Sequence, residues 1–447
     1  MAETSASKLS KRIHTDGSTH YKSATAPANA VEGDLWYDTS SSALKSYNGT
    51  EFVKVSAAIP TLTSVSGTLY AGQTSDLTLA GTNFLSSNLI VNFVQADDSI
   101  DVDVTVTPSS DTAATVTVPS SVYDNVTTGN VVTIKVTNSD GVQSGTQTIT
   151  ASAVPLEVEY LVVGGGGAGG AGSGDGGQGG GGGGAGGYRT NYGGTKITFT
   201  SGQVYTVTVG DGGAQVSYNA DSTSSNDGDD SSLSGSGITT ITATGGGAGG
   251  NGGNASAQNG RNGGSGGGGG AGNSSSGGSG NTPSTSPSQG NNGGDGDDSG
   301  NPYSGGGGGG ASQVGATGEE QHGTGGNGTA NSITGSSLTY AGGGGGGTWS
   351  DSSIAGAAAG GTGGGGAGQD KNGTASVAGT ANLGGGGGGG GSNSPSSTGT
   401  GAAGGKGVVI LRLLTSVYTG TTSGSPTVTT DGSHKVIKFT SSGSYTA

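Results

Sequence analysis

Nearly all of the 106 glycines in this 447-residue chain fall between Gly164 and Gly407. Glycine loses more backbone freedom on ordering than any other residue, so such a tract reads first as a flexible linker. Its frame argues otherwise. The apolar segment Glu159-Tyr-Leu-Val-Val163 leads into it and Val408-Val-Ile-Leu-Arg-Leu413 leads out. Apolar islands also recur inside: Lys196-Ile-Thr-Phe-Thr200, Val204-Tyr-Thr-Val-Thr-Val209, a stretch over 238–241, and Ser337-Leu-Thr-Tyr340. A linker needs none of these. Collagen is excluded, because glycine at every third position and abundant proline are both absent.

A clamped glycine run can adopt the left-handed three-fold helix of the polyproline II type, rising about 3.1 Å per residue without internal hydrogen bonds. Every N–H and C=O then points outward, and neighbouring helices can satisfy one another if no side chain keeps them apart. The runs at 164–167, 179–184, 266–270, 305–310, 342–347, 363–366 and 384–391 are therefore expected to be rods of one bundle. The flanking strands would hold their ends. Of these strands, 196–200 and 204–209 are expected to form a hairpin around Ser201-Gly202, and 435–440 with 444–446 a further pair.

A conventional core of this length would need more apolar mass than the hydrophobic fraction of 28% supplies, so either much of the chain is disordered or backbone hydrogen bonding carries an unusual share of the order. The net charge of −15 opposes a nucleic-acid or anionic-membrane footprint. No cysteine is present, which removes disulfides, thiolate chemistry and cysteine metal sites. The amino terminus, Met-Ala-Glu-Thr-Ser-Ala-Ser-Lys8, has no apolar h-region, so no secretory signal is expected. No run of about 18 apolar residues would span a membrane.

Four segments are expected: an arm at 1–24, a small β-module at 25–57, a β-sandwich at 58–154 and the glycine-rich domain at 155–447. The arm has basic residues Lys8, Lys11 and Arg12 and reads as either a disordered tail or a docking arm. In the module, strands over Gly33-Asp-Leu-Trp-Tyr-Asp-Thr39, Leu44-Lys-Ser-Tyr47 and Glu51-Phe-Val-Lys-Val55 flank an Asn48-Gly49 turn. Across 58–154, short alternating strands such as Asp76-Leu-Thr-Leu79, Leu89-Ile-Val-Asn-Phe93, Ala114-Thr-Val-Thr-Val118 and Val131-Val-Thr-Ile-Lys-Val136 give a sandwich of immunoglobulin size.

Three resemblances follow from these strings. Residues 26–53 resemble a small β-module recurrent in phage tail-fibre and other virion proteins. Ile59-Pro-Thr-Leu-Thr-Ser-Val65, Leu79-Ala-Gly-Thr-Asn-Phe84, Thr117-Val-Pro119 and Val136-Thr-Asn-Ser-Asp-Gly141 resemble the IPT/TIG immunoglobulin-like family. That resemblance implies a turn and an inward aromatic at Gly81 to Phe84. Val158-Glu-Tyr-Leu-Val-Val-Gly-Gly-Gly-Gly-Ala168, Tyr188-Arg-Thr190, Tyr205-Thr-Val-Thr-Val-Gly210 and Gly404-Gly-Lys-Gly-Val-Val-Ile-Leu-Arg412 resemble the glycine-rich domain of phage fibres and fibre-tip adhesins. This last resemblance implies sandwiched polyglycine helices presenting loops to a host cell.

The expected fold is thus all-β plus polyglycine II. The expected function is host-surface attachment by a virion fibre, without enzymatic activity. The alternative is a capsid or tail decoration protein with no receptor. A glycan-cleaving tailspike would need paired carboxylates on a β-helix, whose repeat-built aliphatic stacks are missing. Candidate receptor contacts are Asn281, Tyr303, Trp349 and Asp351, in polar loops between glycine runs. Expected partners are other virion proteins through the N-terminal region, with Lys8, Lys11 and Arg12 as docking contacts, and a host glycan or protein. By resemblance, fibres are commonly trimeric, whereas glycine-rich tips can be monomeric. Asn226-Asp-Gly-Asp-Asp230 and Asp295-Gly-Asp-Asp298 offer carboxylates to Ca²⁺ but lack the twelve-residue loop with its terminal Glu. His14, His20, His322 and His434 have no metal-ligand spacing.

Overall fold

The computed structural model describes residues 12–13, 19–40, 43–54, 59–85, 87–96, 99–139, 141–173, 178–217, 226–253, 258–272, 274–297, 299, 303–319, 322–349, 356–370, 372–392 and 399–447. The chain divides into two compact units, Met1–Val154 and Pro155–Ala447.

The first unit opens with a five-stranded sheet in sequential order: β1 (Arg12–Ile13), β2 (Thr19–Ser23), β3 (Leu35–Asp38), β4 (Ala43–Tyr47) and β5 (Phe52–Lys54). The Asn48-Gly49 turn forms as its chemistry dictates. Asn48 Oδ1 accepts from the N–H of Thr50 and Glu51, and Gly49 has φ +92°. Trp36 is buried, edge-on to Phe52 at 5.2 Å. Strand β2 lies within the segment that the sequence reading assigns to the arm, yet it pairs in parallel with β3, and Ser23 accepts from the Trp36 indole N–H. The string Thr-His-Tyr-Lys-Ser has too little apolar alternation to announce this.

The rest of the first unit is a β-sandwich, which also carries the short parallel pair of β7 (Tyr70–Ala71) and β14 (Ser152–Ala153). One sheet has the order β10 (Asp101–Val106), β9 (Leu89–Gln95), β12 (Val131–Thr137), β13 (Gln147–Thr150); the other has β11 (Ala113–Thr117), β8 (Asp76–Thr82), β6 (Thr61–Ser66). Alternation sends Leu77, Leu79, Leu89, Val91, Phe93, Val116, Val132 and Ile134 into one core. Phe84 is buried, and a Cβ on Gly81 would collide with its ring and with the Thr61 carbonyl, so the Gly-Thr-Asn-Phe turn needs its glycine.

In the second unit the frame of the glycine tract closes on itself. Strands β15 (Leu156–Val163) and β23 (Val408–Leu414) pair antiparallel, with Val163 opposite Val408, so the tract leaves and returns at adjacent positions. They are the centre of a sheet completed by β16 (Tyr188–Thr190), β17 (Ile197–Phe199), β26 (His434–Phe439) and β25 (Thr427–Asp431). A second sheet has the order β20 (Ile241–Ala243), β19 (Ser231–Gly235), β18 (Val204–Thr208), β27 (Gly443–Thr446), β24 (Thr422–Ser423), and β21 (Thr329–Asn331) and β22 (Leu338–Tyr340) form a separate antiparallel pair.

Two expected strand pairs do not form. Strand β17 pairs with β15, and β18 pairs with β19 and β27; likewise β26 and β27 lie in different sheets. At both places the chain steps from one sheet to the other. The reason is visible in the core: Phe199 and Tyr205 stack face to face at 3.5 Å, bringing an apolar side chain from each sheet into one cluster with Leu411, Ile437 and Tyr445. Alternation of period two fits a hairpin and a sheet switch equally well.

The central sheet is covered on its other face too. Leu161, Val163, Val408, Ile410 and Val436 meet Ala185, Ile333, Tyr340 and Ala341. Burial on both faces accounts for the unbroken run Val408-Val-Ile-Leu-Arg-Leu413. On this face Arg412 pairs with Glu159 at 3.0 Å and Asp431 at 3.1 Å, with the Tyr192 ring 5.9 Å from its guanidinium carbon.

The rods begin where these strands end. Residues 164–172 donate in a three-residue rotation, with Ala171 turning to the Asn251 side chain. Gly164, Gly167 and Gly170 bond to Gly187, Gly184 and Gly181; Gly165 and Ala168 to Asp229 and Asn226; Gly166, Gly169 and Gly172 to Gly405, Ala402 and Gly399. This rotation is the signature of a three-fold helix. The rod at 179–187 is the hub. Its N–H groups go to rods at 244–250, 303–309 and 384–390, and its carbonyls accept from rods at 164–170, 265–271 and 344–347. Three acceptor neighbours and three donor neighbours make the arrangement of hexagonal packing.

Only glycine permits this approach at most rod positions. A Cβ at Gly183 would overlap the Gly167 carbonyl, and one at Gly386 the Gly183 carbonyl. Fixing a residue's backbone costs about 1–2 kcal/mol and a hydrogen bond returns about 1 kcal/mol net. The lattice alone therefore does not hold, and the apolar sheets that anchor its ends are required.

Candidate functional site

The rods have two unlike ends. One end abuts the central sheet. The other, about 25 Å away at 3.1 Å per residue, is built from the loops that connect the rods.

At this outer end the hub rod starts at Gly179, whose N–H donates to the Tyr303 carbonyl at 3.0 Å. Tyr303 has φ +51°, a left-handed conformation uncommon for a bulky residue. It is held there by Asp297, whose carboxylate is fully buried. Asp297 Oδ2 accepts from the Tyr303 N–H at 2.9 Å, and Oδ1 from the N–H and hydroxyl of Ser299 at 2.9 and 2.8 Å. The Tyr303 ring then meets Trp349 edge to face, with centroids 5.5 Å apart and planes at 73°. Trp349 is anchored by a backbone bridge to Ser392, and its indole N–H is buried without a hydrogen-bond partner. Sequence reasoning named both aromatics separately. The structure makes them one half-buried pair.

A polar cleft of about 330 Å³ lies along the same end, lined by Ser274, Ser275, Ser276, Thr317, Asp295 and Glu319. His322, also in a left-handed conformation at φ +58°, belongs to this end.

The other sequence candidates lie elsewhere. Asn281 is at the sheet end, where its N–H donates to Gly264. Its side chain turns inward: Oδ1 accepts from the Thr285 N–H and hydroxyl and from the Gln289 N–H, and Nδ2 donates to the Thr285 carbonyl. It staples the 282–288 loop. Asp351, Lys8 and Lys11 lie outside the described residues, as does His14. Arg12 opens β1.

Of the acidic residues offered to Ca²⁺, Asp227, Asp230 and Asp295 are used as acceptors at the bundle's edge. Where an outer rod lacks a backbone neighbour, a side-chain oxygen substitutes. Asp227 takes the Ala248 N–H and pairs with Arg261 at 2.8 Å; Asp230 takes the Gly245 N–H, and Asp295 the Gly277 N–H. Asn251, Asn262, Asn292 and Gln289 act the same way on Ala171, Ser279, Gly280 and Thr244. Polar strings between the glycine runs, such as 289–297 and 313–318, are therefore partly rods. Among the described residues no cluster of three or more His, Asp or Glu side chains could hold a metal. Nor is any described helix long and apolar enough to cross a membrane.

Asp370 closes the turn into the rod at 374–380, taking the N–H groups of Asn372 and Thr374. Burial raises its pKa, but the bonds from Thr374 and Asn372 outweigh this and leave it below the usual carboxylate value.

No curated protein and no solved structure matches this chain. The family model described as a glycine-rich domain matches residues 141–414, and the chain therefore belongs to the glycine-rich domain family.

Proposed function

We propose that this protein is a phage virion fibre or adhesin that attaches the particle to the host surface without covalent chemistry. The observation that carries this reading is the asymmetry of the glycine bundle. One end is sealed by a sheet buried on both faces, while the described residues of the other include the Tyr303–Trp349 pair and a polar cleft. Loops on a rigid scaffold are where recognition tends to sit. The resemblance of residues 26–53 to a virion β-module supports attachment to the particle through the N-terminal region.

Purified full-length protein is expected to bind host cells and to compete with phage adsorption. The double substitution Tyr303→Ala and Trp349→Ala is expected to weaken this competition while leaving thermal unfolding of the second unit nearly unchanged. Protein that binds isolated virions but not cells would overturn attachment in favour of a decoration role. Shortening of host polysaccharide on incubation would overturn the non-enzymatic reading.

A further inference from the structure

A hexagonal bundle has a defined next position, and here one such position is open and lined with unused donors. The surface rod at 374–380 donates Val377 and Thr380 N–H to Ala367 and Gly364, and Gly379 N–H to Ala403. The third phase of the rotation, Ala375 and Ala378, has N–H groups with no partner among the described residues. The adjoining rod at 399–407 repeats the pattern. Ala402 and Gly405 donate to Gly388 and Gly385, Gly401 and Gly404 donate to Val216 and Gly213, and Thr400 and Ala403 are left over.

Ala375, Ala378, Thr400 and Ala403 all line one groove of about 410 Å³, to which Gln215 adds an exposed amide. Along each row the free N–H groups recur every three residues, about 9.3 Å at the rise of this helix. An α-helix repeats at about 5.4 Å and a strand face at about 6.6–6.8 Å, so neither offers acceptors at that interval. Alanine and glycine make up most of the lining, which leaves room for backbone approach.

We propose that this groove binds a segment of another polypeptide, rich in Gly, Ala and Ser and held as an extended three-fold helix, whose carbonyls accept from Thr400 and Ala403 and whose N–H groups donate to the carbonyls of the rod at 374–380. The bound segment would be one more rod of the lattice. A second copy of this chain is the poorer source, because the described glycine runs at 164–170, 179–187, 342–347 and 384–391 are buried with their neighbours. This inference does not depend on which surface the outer loops face.

The test uses the full chain and a fluorescently labelled peptide of about four Gly-Gly-Ala repeats, with an Ala/Lys/Glu helix-forming peptide of equal length as control. Saturable binding of the glycine–alanine peptide alone, weakened by roughly tenfold or more in Ala378→Trp, is the expected result. Ala378 is exposed, so the variant's unchanged melting profile would certify its fold. No saturation up to about 1 mM peptide, or equal binding by the variant or of the control peptide, would overturn the proposal. Sedimentation showing self-association of the chain alone that Ala378→Trp abolishes would overturn the choice of a different polypeptide.

Discussion

The β-sandwich and the glycine bundle solve the same problem with opposite materials. The sandwich brings two sheets together through side chains: Leu77, Leu79, Phe93, Val116 and Ile134 fill the space between layers, and backbone bonds run only within each sheet. The bundle has almost no side chains inside. Its backbone bonds run in three directions around each rod, and the space between rods is filled by neighbouring backbone. In the sandwich a side chain is what holds the interior together; in the bundle a side chain is what would break it. Low hydrophobic content therefore does not mean a weakly specified interior, provided that the polar groups of the chain are all paired.

The contrast can be broken most severely at the hub. Gly183→Val puts a branched side chain where the Gly167 carbonyl already sits, with rods on every side. It is expected to cost more than about 5 kcal/mol and to remove the cooperative melting of the second unit, read by calorimetry. The mirror experiment removes matter instead of adding it. Phe93→Ala in the sandwich is expected to cost about 3–4 kcal/mol and to lower only the transition of the first unit. If Gly183→Val were tolerated, close backbone packing would not be what holds the bundle.

A third experiment probes the layer between sheet and rods. Tyr340 is fully buried and its hydroxyl has no partner. Burial, reinforced by Tyr188, pushes its pKa from 10.0 up to about 12. A raised value means that the folded state keeps the proton longer than the unfolded chain. Its contribution is thus whole below pH 10 and is lost between about pH 10 and 12, reaching at most roughly 2–3 kcal/mol. Tyr340→Phe is expected to flatten that part of the alkaline unfolding curve, with little loss at neutral pH because no hydrogen bond is broken. The smallest effect is expected at Asn281→Ala. Loss of the staple on the 282–288 loop should cost about 1 kcal/mol and leave adsorption competition unchanged, since that loop is at the sheet end.

Much of this architecture is legible in the residues. The strands that frame the tract, the alternation across 76–136 and the Asn48-Gly49 turn each carry a local signal strong enough to place them. Pairing is less legible. Nothing in 196–209 tells a hairpin from a sheet switch, because Phe199 and Tyr205 alternate correctly for either; only the stacking of the two rings across the core decides. The edge of the bundle was hidden for a different reason. Asn, Asp and Gln look like loop residues, yet Asp295, Asn292 and Asn251 stand in for missing backbone carbonyls. At the outer end, Tyr303 and Trp349 are 46 positions apart (349 − 303), and no periodicity joins them. Asp297, which sets the Tyr303 conformation, is indistinguishable in sequence from its acidic neighbours.

The three-residue rotation of the rods also governs which changes of length the chain can absorb. Inserting one residue into 179–187 would turn everything beyond it by a third of a revolution and aim each N–H at the wrong neighbour. Inserting three would restore the phase, but only if the six adjoining rods grew with it. Length is therefore frozen within the rods, and changes of length in a lineage of such proteins are expected to fall in the connections between them, with little penalty in stability.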